Sequence, residues 1–305
     1  MKGQIFELSE EYRITPQEIE YIMNNEVDTT EEIMKRVNKF YVEEWEKLGR
    51  AGAYIKTFNK SFIGKEKTVE AWKHCELRKS VFGEVITMQE EATIVGGKLA
   101  KIRKDPSYIK CSRCKSEVEN LEHVLTGCAG RRKDYIERHD SVGKRIYEAL
   151  CKKYEIALCY QSDPVTIETK RVKIHWNQRM VKGKDSQPDI TVYDYKEKSV
   201  LVFDVSIVNK KYLEERFKTK NKKYSELALN LKEMSGLKYS MVIPVIVSVE
   251  GLIHKKSVEL LDQAGIKINW GKAVTGMLVY NIKIINKIYN EHLEWRKKKR
   301  KQLEG

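Results

Sequence analysis

Over residues 1–105 apolar positions recur at helical steps between short polar turns. Thr15-Pro16-Gln17-Glu18 carries a capping-box pattern with proline at the first helical position. Asp28-Thr29-Thr30-Glu31 repeats the start signal ahead of the stripe Ile33, Val37, Phe40, Tyr41 and Trp45, which stops near Gly49. A further helical run from Thr68 to Ala92 carries Trp72, Leu77 and Val81 and is punctuated by Gly96-Gly97. The period then changes. Val165–Thr169 and Val172–Trp176 alternate as strands with one wet face, and Lys182–Asp185 forms a loop before a third strand that begins at Asp189. After a polar turn, Val200–Val208 is apolar on both faces, the mark of a central strand. A helix follows with the inner stripe Leu213, Phe217, Lys220, Tyr224, Leu227 and Leu231. Met241–Val249 reads as a buried strand interrupted by Pro244, Ser257–Ala264 as a helix, and Ala273–Trp295 as a closing helix ahead of the basic run Arg296–Lys301. The pattern predicts an α/β fold, a mixed sheet flanked by helices.

Charged residues break this pattern where burial makes them costly. With a side-chain period of two, Asp204 shares a covered face with Val202 and Ser206, while Phe203, Val205 and Ile207 point the other way. A buried carboxylate needs a partner, usually a cation. Lys220 supplies a candidate, because it interrupts an otherwise apolar seam, whereas Lys218, Lys222 and Lys223 fall on other faces. Asp189 opens the preceding strand and adds a second acid. The alternative is a hydrophobic hairpin and an amphipathic helix in which the acids are incidental.

Residues 111–128 form a second constellation, Cys111-x2-Cys114-x8-His123-x4-Cys128. Three thiolates and one imidazole suit a closed tetrahedral Zn²⁺ site, which is structural because no coordination position stays open. Cys111 and Cys114 would form the knuckle, and His123 and Cys128 would be set by a short helical segment, Leu121–Leu125. The alternative is four unrelated buried side chains. Cys75, Cys151 and Cys159 sit in apolar contexts and read as core thiols.

At 305 residues and 41% hydrophobic content the chain can bury a real core. A net charge of +14, with sixteen Tyr and five Trp, points to a polyanionic partner, with nucleic acid the leading candidate. No run of apolar residues is long enough to span a membrane, and the polar start Met1-Lys2-Gly3-Gln4 lacks a secretory core. An intracellular, reducing location is therefore expected.

Pro188-Asp189, fourteen further residues and Asp204 resemble the acidic pair of the metal-dependent PD-(D/E)xK nuclease superfamily. The common form of that superfamily carries a lysine two residues after the second acid, where this chain has Ser206. Lys220, four residues before Tyr224, resembles instead the migrated lysine of the restriction-like endonuclease at the C-terminus of early-branching non-LTR (LINE) retrotransposons. That family also carries a Cys-Cys-His-Cys knuckle upstream, and Arg138-His139-Asp140 resembles its Arg-His-Asn element, with Asp140 in place of Asn. Gln187 likewise stands where the family often has Lys or Arg.

The resemblance implies an Mg²⁺- or Mn²⁺-dependent DNA endonuclease. In it Asp189 and Asp204 would hold the metal, Lys220 would add charge or orient water, Tyr224 would position Lys220, and His139 is a further candidate site residue. The implied act is nicking of double-stranded target DNA in the nucleus, to expose a 3′-hydroxyl for target-primed reverse transcription. A reverse transcriptase of the same element would be a partner and element RNA a further candidate. No Tyr-Xaa-Asp-Asp polymerase signature occurs in this chain. The implied organisation is a helical linker region over 1–105, the knuckle over 106–130, the nuclease core over 131–272, and a C-terminal helix with basic tail over 273–305. The competing reading from another class is a zinc-dependent nucleic-acid-binding module, or a scaffold, without cleavage.

Overall fold

A computed structural model describes residues 15, 17, 29–49, 52–158, 165–177, 180 and 187–304. Parts of the start signals at Thr15–Glu18 and Asp28–Glu31, the loop Lys182–Asp185, and Cys159 lie outside the described residues. The chain divides into two compact units, residues 1–57 and 58–305. In the first, α1 (Thr29–Lys47) covers the expected helical run, and α2 (Ala53–Phe58), whose last residue falls in the second, begins just beyond a tight turn. The turn needs Gly52, because a Cβ there would lie 2.4 Å from the carbonyl oxygens of both Leu48 and Trp45.

The second unit holds α3 (Lys65–Lys73), α4 (Lys79–Gln89), α5 (Gly96–Arg103), α6 (Arg132–Tyr154), β1 (Val165–Glu168), β2 (Val172–Trp176), β3 (Ile190–Asp194), β4 (Ser199–Val208), α7 (Leu213–Ser235), β5 (Tyr239–Ser248), α8 (Lys255–Gln263) and α9 (Trp270–Glu304). Motif-based boundaries at 105 and 272 do not mark compact units; helices α3–α5, the knuckle, the sheet and α9 belong together. The single run expected from Thr68 to Ala92 is two helices, α3 and α4. Gly96-Gly97 starts α5 rather than ending a helix. A Cβ at Gly96 would lie 2.3 Å from Tyr108 O, and its N–H donates to Glu119 Oε1 at 2.8 Å, so glycine permits the close approach.

Strand order is β1-β2-β3-β4-β5, antiparallel from β1 to β4 and parallel between β4 and β5. The β3–β4 hairpin turns on Asp194, whose Oδ1 accepts from the N–H groups of Lys196 and Glu197 at 3.0 and 2.9 Å. Pro244 does not interrupt β5, which runs through it opposite Asp204. It is tolerated because β5 is an edge strand, where a missing donor breaks no second ladder. On one face Leu201, Phe203 and Val205 join Val142, Ile146 and Leu150 of α6 and Met277 and Leu278 of α9 in the main core. On the other, Val200 and Val202 pack with Tyr224, Leu227 and Leu231 of α7. The alternation read from Val200–Val208 therefore separates two apolar layers. Helix α9 starts at Trp270 and continues through the basic run to Glu304, with Lys297 paired to Glu294 and Lys299 to Asp105. Among the described residues no helix is long and apolar enough to cross a membrane.

Candidate active site and metal centre

The acids meet where the sheet loses a strand. β3 begins at Ile190, opposite Phe203, but β4 continues to Val208, so Val205 has no β3 partner. Its backbone groups must bond elsewhere. Asp189 Oδ2 accepts from Val205 N–H at 2.5 Å, and His139 Nε2, from α6, lies 3.2 Å from Val205 O and 3.1 Å from Asp189 Oδ2. The other ring nitrogen, Nδ1, lies 3.0 Å from Asp140 Oδ1. Burial alone would lower the His139 pKa, but hydrogen bonds to Asp140 and Asp189 outweigh it and raise it to about 10, which makes the ring an imidazolium. These bonds satisfy β4 and hold the Asp189 carboxylate in place, while its Oδ1 accepts no hydrogen bond among the described residues.

Asp204 lies on the opposite face of β4, 3% exposed. Lys220 reaches in from α7 and places Nζ 2.7 Å from Oδ2. That oxygen nonetheless receives no well-directed hydrogen bond, so the ammonium lies beside it as an ion pair. Burial, reinforced by the like charge of Asp189, raises the Asp204 pKa above its ordinary 3.8, and Lys220 and Tyr224 only partly oppose this. Tyr224 is buried, donates its hydroxyl to Gln187 O at 3.1 Å, and carries Lys220 Nζ 5.9 Å from its ring centroid. An acid so short of positive charge suits a bound cation, and Asp189 and Asp204 are the residues that could share one.

One cavity of about 430 Å³ is lined by His139, Asp189, Asp204, Lys220 and Tyr224 together, the five residues singled out from the sequence for the acid site. Arg138, Arg216 and Lys223 also line it. Lys223, expected from the sequence on another face than Lys220, still borders the cavity, and its Nζ lies 4.9 Å from the Tyr224 ring centroid. The signal for both was the helix period, since Arg216 is one turn before Lys220 and Lys223 one turn after it. Ser206, which stands at the superfamily's usual lysine position, lines the cavity without an ammonium.

Between α5 and α6, Cys111, Cys114, His123 and Cys128 bring their ligand atoms within 4.8 Å of one another. Cys111 Sγ and Cys128 Sγ are 3.7 Å apart, and Cys114 Sγ is 3.4 Å from His123 Nε2. Tetrahedral zinc with bonds of about 2.3 Å to sulfur and about 2.0 Å to nitrogen requires separations of about 3.8 and 3.5 Å, so the donor set fits zinc. Without a metal the cluster is ill-matched: burial pushes the Cys111 thiol up to about 12, while hydrogen bonds from Ser116 and the Glu117 backbone hold Cys114 down at about 5. The helical segment expected at Leu121–Leu125 starts there but continues as a wider, π-helical turn over His123–Gly127. Tyr135 of α6 clamps that turn, donating to Val124 O at 2.6 Å and accepting from Cys128 N–H at 3.1 Å.

Its ring also lies against Arg138, with the guanidinium carbon 5.1 Å from the centroid, and Tyr135 and Thr126 both line the acid-site cavity. The knuckle is thus one wall of that site. Glu119, buried beneath it, accepts from Gly96 N–H and Ser112 N–H at 2.8 and 2.7 Å and meets His292 Nε2 at 2.6 Å. Burial alone would raise the Glu119 carboxyl, but the bonds from His292, Ser112 and Gly96 hold it at about 2. Sequence reasoning missed Glu119, because its partners come from distant segments. Of the remaining cysteines, Cys151 is buried in the core and Cys75 is half-buried, accepting from Thr275 Oγ1 at 3.2 Å. A scan of the chain against protein-family models matches none, and a search of curated proteins finds no matching relative.

Proposed function

We propose that this chain is a metal-dependent DNA endonuclease, the restriction-like endonuclease region of an early-branching non-LTR retrotransposon, which nicks target DNA to prime reverse transcription. The observation that carries the reading is the single cavity that gathers His139, Asp189, Asp204, Lys220 and Tyr224 from α6, the β3 entry, β4 and α7. The element order is compatible with the superfamily's core: a helix, antiparallel strands, a helix, then a strand parallel to β4.

Asp189 and Asp204 would hold a divalent cation, Mg²⁺ or Mn²⁺, whose chemistry here is to offset charge on the scissile phosphate and lower the pKa of the attacking water. His139 fixes the rotamer of Asp189 through the 3.1 Å contact. Lys220 presents an ammonium to the developing negative charge, and Tyr224 buttresses it. Arg216 and Lys223 bind phosphates flanking the reacting one. Water adds to phosphorus as the bond to the 3′-oxygen breaks, leaving a 3′-hydroxyl and a 5′-phosphate. Conversion of supercoiled plasmid to open circle tests the proposal: it should require Mg²⁺ or Mn²⁺ with zinc left in place. Tight duplex binding with no nicking in either metal would favour the non-catalytic binding module.

A further inference from the structure

A second cavity, of about 410 Å³, opens between the zinc knuckle and α9 and shares no lining residue with the acid site. Lys110 and Lys115 from the knuckle segment and Lys298 from α9 border it, beside Tyr108 and the half-buried indole of Trp295. The two rings pack edge to face with centroids 4.7 Å apart, and Lys299 Nζ, paired with Asp105 at 2.8 Å, lies 4.9 Å from the Trp295 centroid, so a base would meet only the part of the indole left exposed. Two acids also border the space, but both are answered from outside it: Glu291 by the buried Arg131 at 2.6 Å, and Glu294 by Lys297 at 3.2 Å. Lys110 donates to Ser116 O at 2.8 Å. Lys115 and Lys298 have no partner among the described residues, so the cavity keeps uncompensated positive charge next to aromatic surface. The exposed Asn290 amide adds one donor group and one acceptor at the same rim.

Cations beside a half-buried ring and an exposed amide match the backbone, face and edge of an unpaired nucleotide. A duplex hides its base faces in the stack and could use only the lysines. We propose that this cavity binds single-stranded nucleic acid, with one base against Trp295, its edge toward Asn290, and flanking phosphates on Lys115 and Lys298. The proposal rests on the nucleic-acid reading of the chain but needs neither Asp189 nor Asp204.

The test is fluorescence anisotropy of the full chain with labelled oligouridylate and oligodeoxythymidylate of about ten nucleotides, a length within the span of single-strand sites. Zinc stays bound and Mg²⁺ is omitted, so that no cleavage intervenes. Trp295→Leu should weaken binding roughly five- to a hundred-and-fiftyfold, the loss of one base–aromatic contact. Lys115→Gln combined with Lys298→Gln, both at exposed positions, should flatten the log–log salt dependence by about 1.4. A larger loss for uridylate assigns the site to RNA through its 2′-hydroxyl, and an equal or larger loss for thymidylate assigns it to DNA or to either strand. Wild-type affinity and slope in the double-lysine variant would overturn the proposal. A chain that fails to nick plasmid yet shows these losses keeps this site and loses only the endonuclease reading. A chain that nicks and shows none of them loses this site alone.

Discussion

Lys220 Nζ lies 2.7 Å from Asp204 Oδ2, yet the acid remains harder to ionise than a solvated aspartate. One ammonium reaching in from α7 does not make up for a carboxylate buried mid-strand with Asp189 nearby. Asp204 is thus incompletely compensated, a condition that a divalent cation beside it would relieve.

That shortage predicts a pH signature. The Asp204 pKa is raised in the fold, so its contribution to stability is fully present below the unfolded value of about 3.8 and is lost as pH rises through the folded value. In Mg²⁺-free buffer wild-type protein should therefore gain stability relative to Asp204→Asn as pH falls from neutrality toward that value. Paired urea melts across the range measure the difference, and a flat or reversed trend would count against the burial argument.

Zinc should act on folding and only indirectly on cleavage. Cys111→Ser and Cys128→Ser should each lose the bound zinc equivalent and lower the melting temperature, because a closed thiolate site contributes its binding energy to the fold. Full zinc content with unchanged melting would remove the assignment.

Tyr135→Phe removes the hydroxyl that bonds Val124 O and Cys128 N–H. Leaving such buried groups unpaired costs about 1–3 kcal/mol. Because the ring stays against Arg138, duplex affinity should hold while urea stability falls by that amount. Unchanged stability would mean that the knuckle is not clamped through this residue.

How much of this was legible in the sequence follows from the range of the interactions. The period-two pattern of Val200–Val208 and the lysine inside the Leu213–Leu231 stripe are local signals, and both translate directly into the covered Asp204 and the inward Lys220. The Cys111–Cys128 spacing is local too. The contact of His139 with Asp189 and Val205 was not legible, since it depends on β4 outrunning β3, a register that no single segment encodes. Gly96 misled for a related reason: its role is set by Tyr108 and Glu119, which the local pattern cannot show. Pro244 misled because edge position is a property of the sheet rather than of the strand.

Duplex binding should be dominated by phosphate contacts. Arg216→Gln combined with Lys223→Gln should reduce the log–log salt slope for duplex DNA by about 1.8, near 0.9 for each cation at the cavity. Filter binding between low and physiological salt measures it, and an unchanged slope would place the duplex elsewhere on the surface.

The most direct test of the acid site is single-turnover nicking at saturating Mg²⁺ and DNA by folded Lys220→Ala protein, with the exposed Lys222→Ala as control. If the ammonium stabilises the charged transition state, its loss should slow nicking roughly a hundredfold to a thousandfold, about 2.7–4 kcal/mol, while the control stays near wild type. Asp189→Ala should abolish nicking and retain duplex binding. A Lys220→Ala rate within about threefold of wild type, far short of the loss of a transition-state donor, would contradict the assignment.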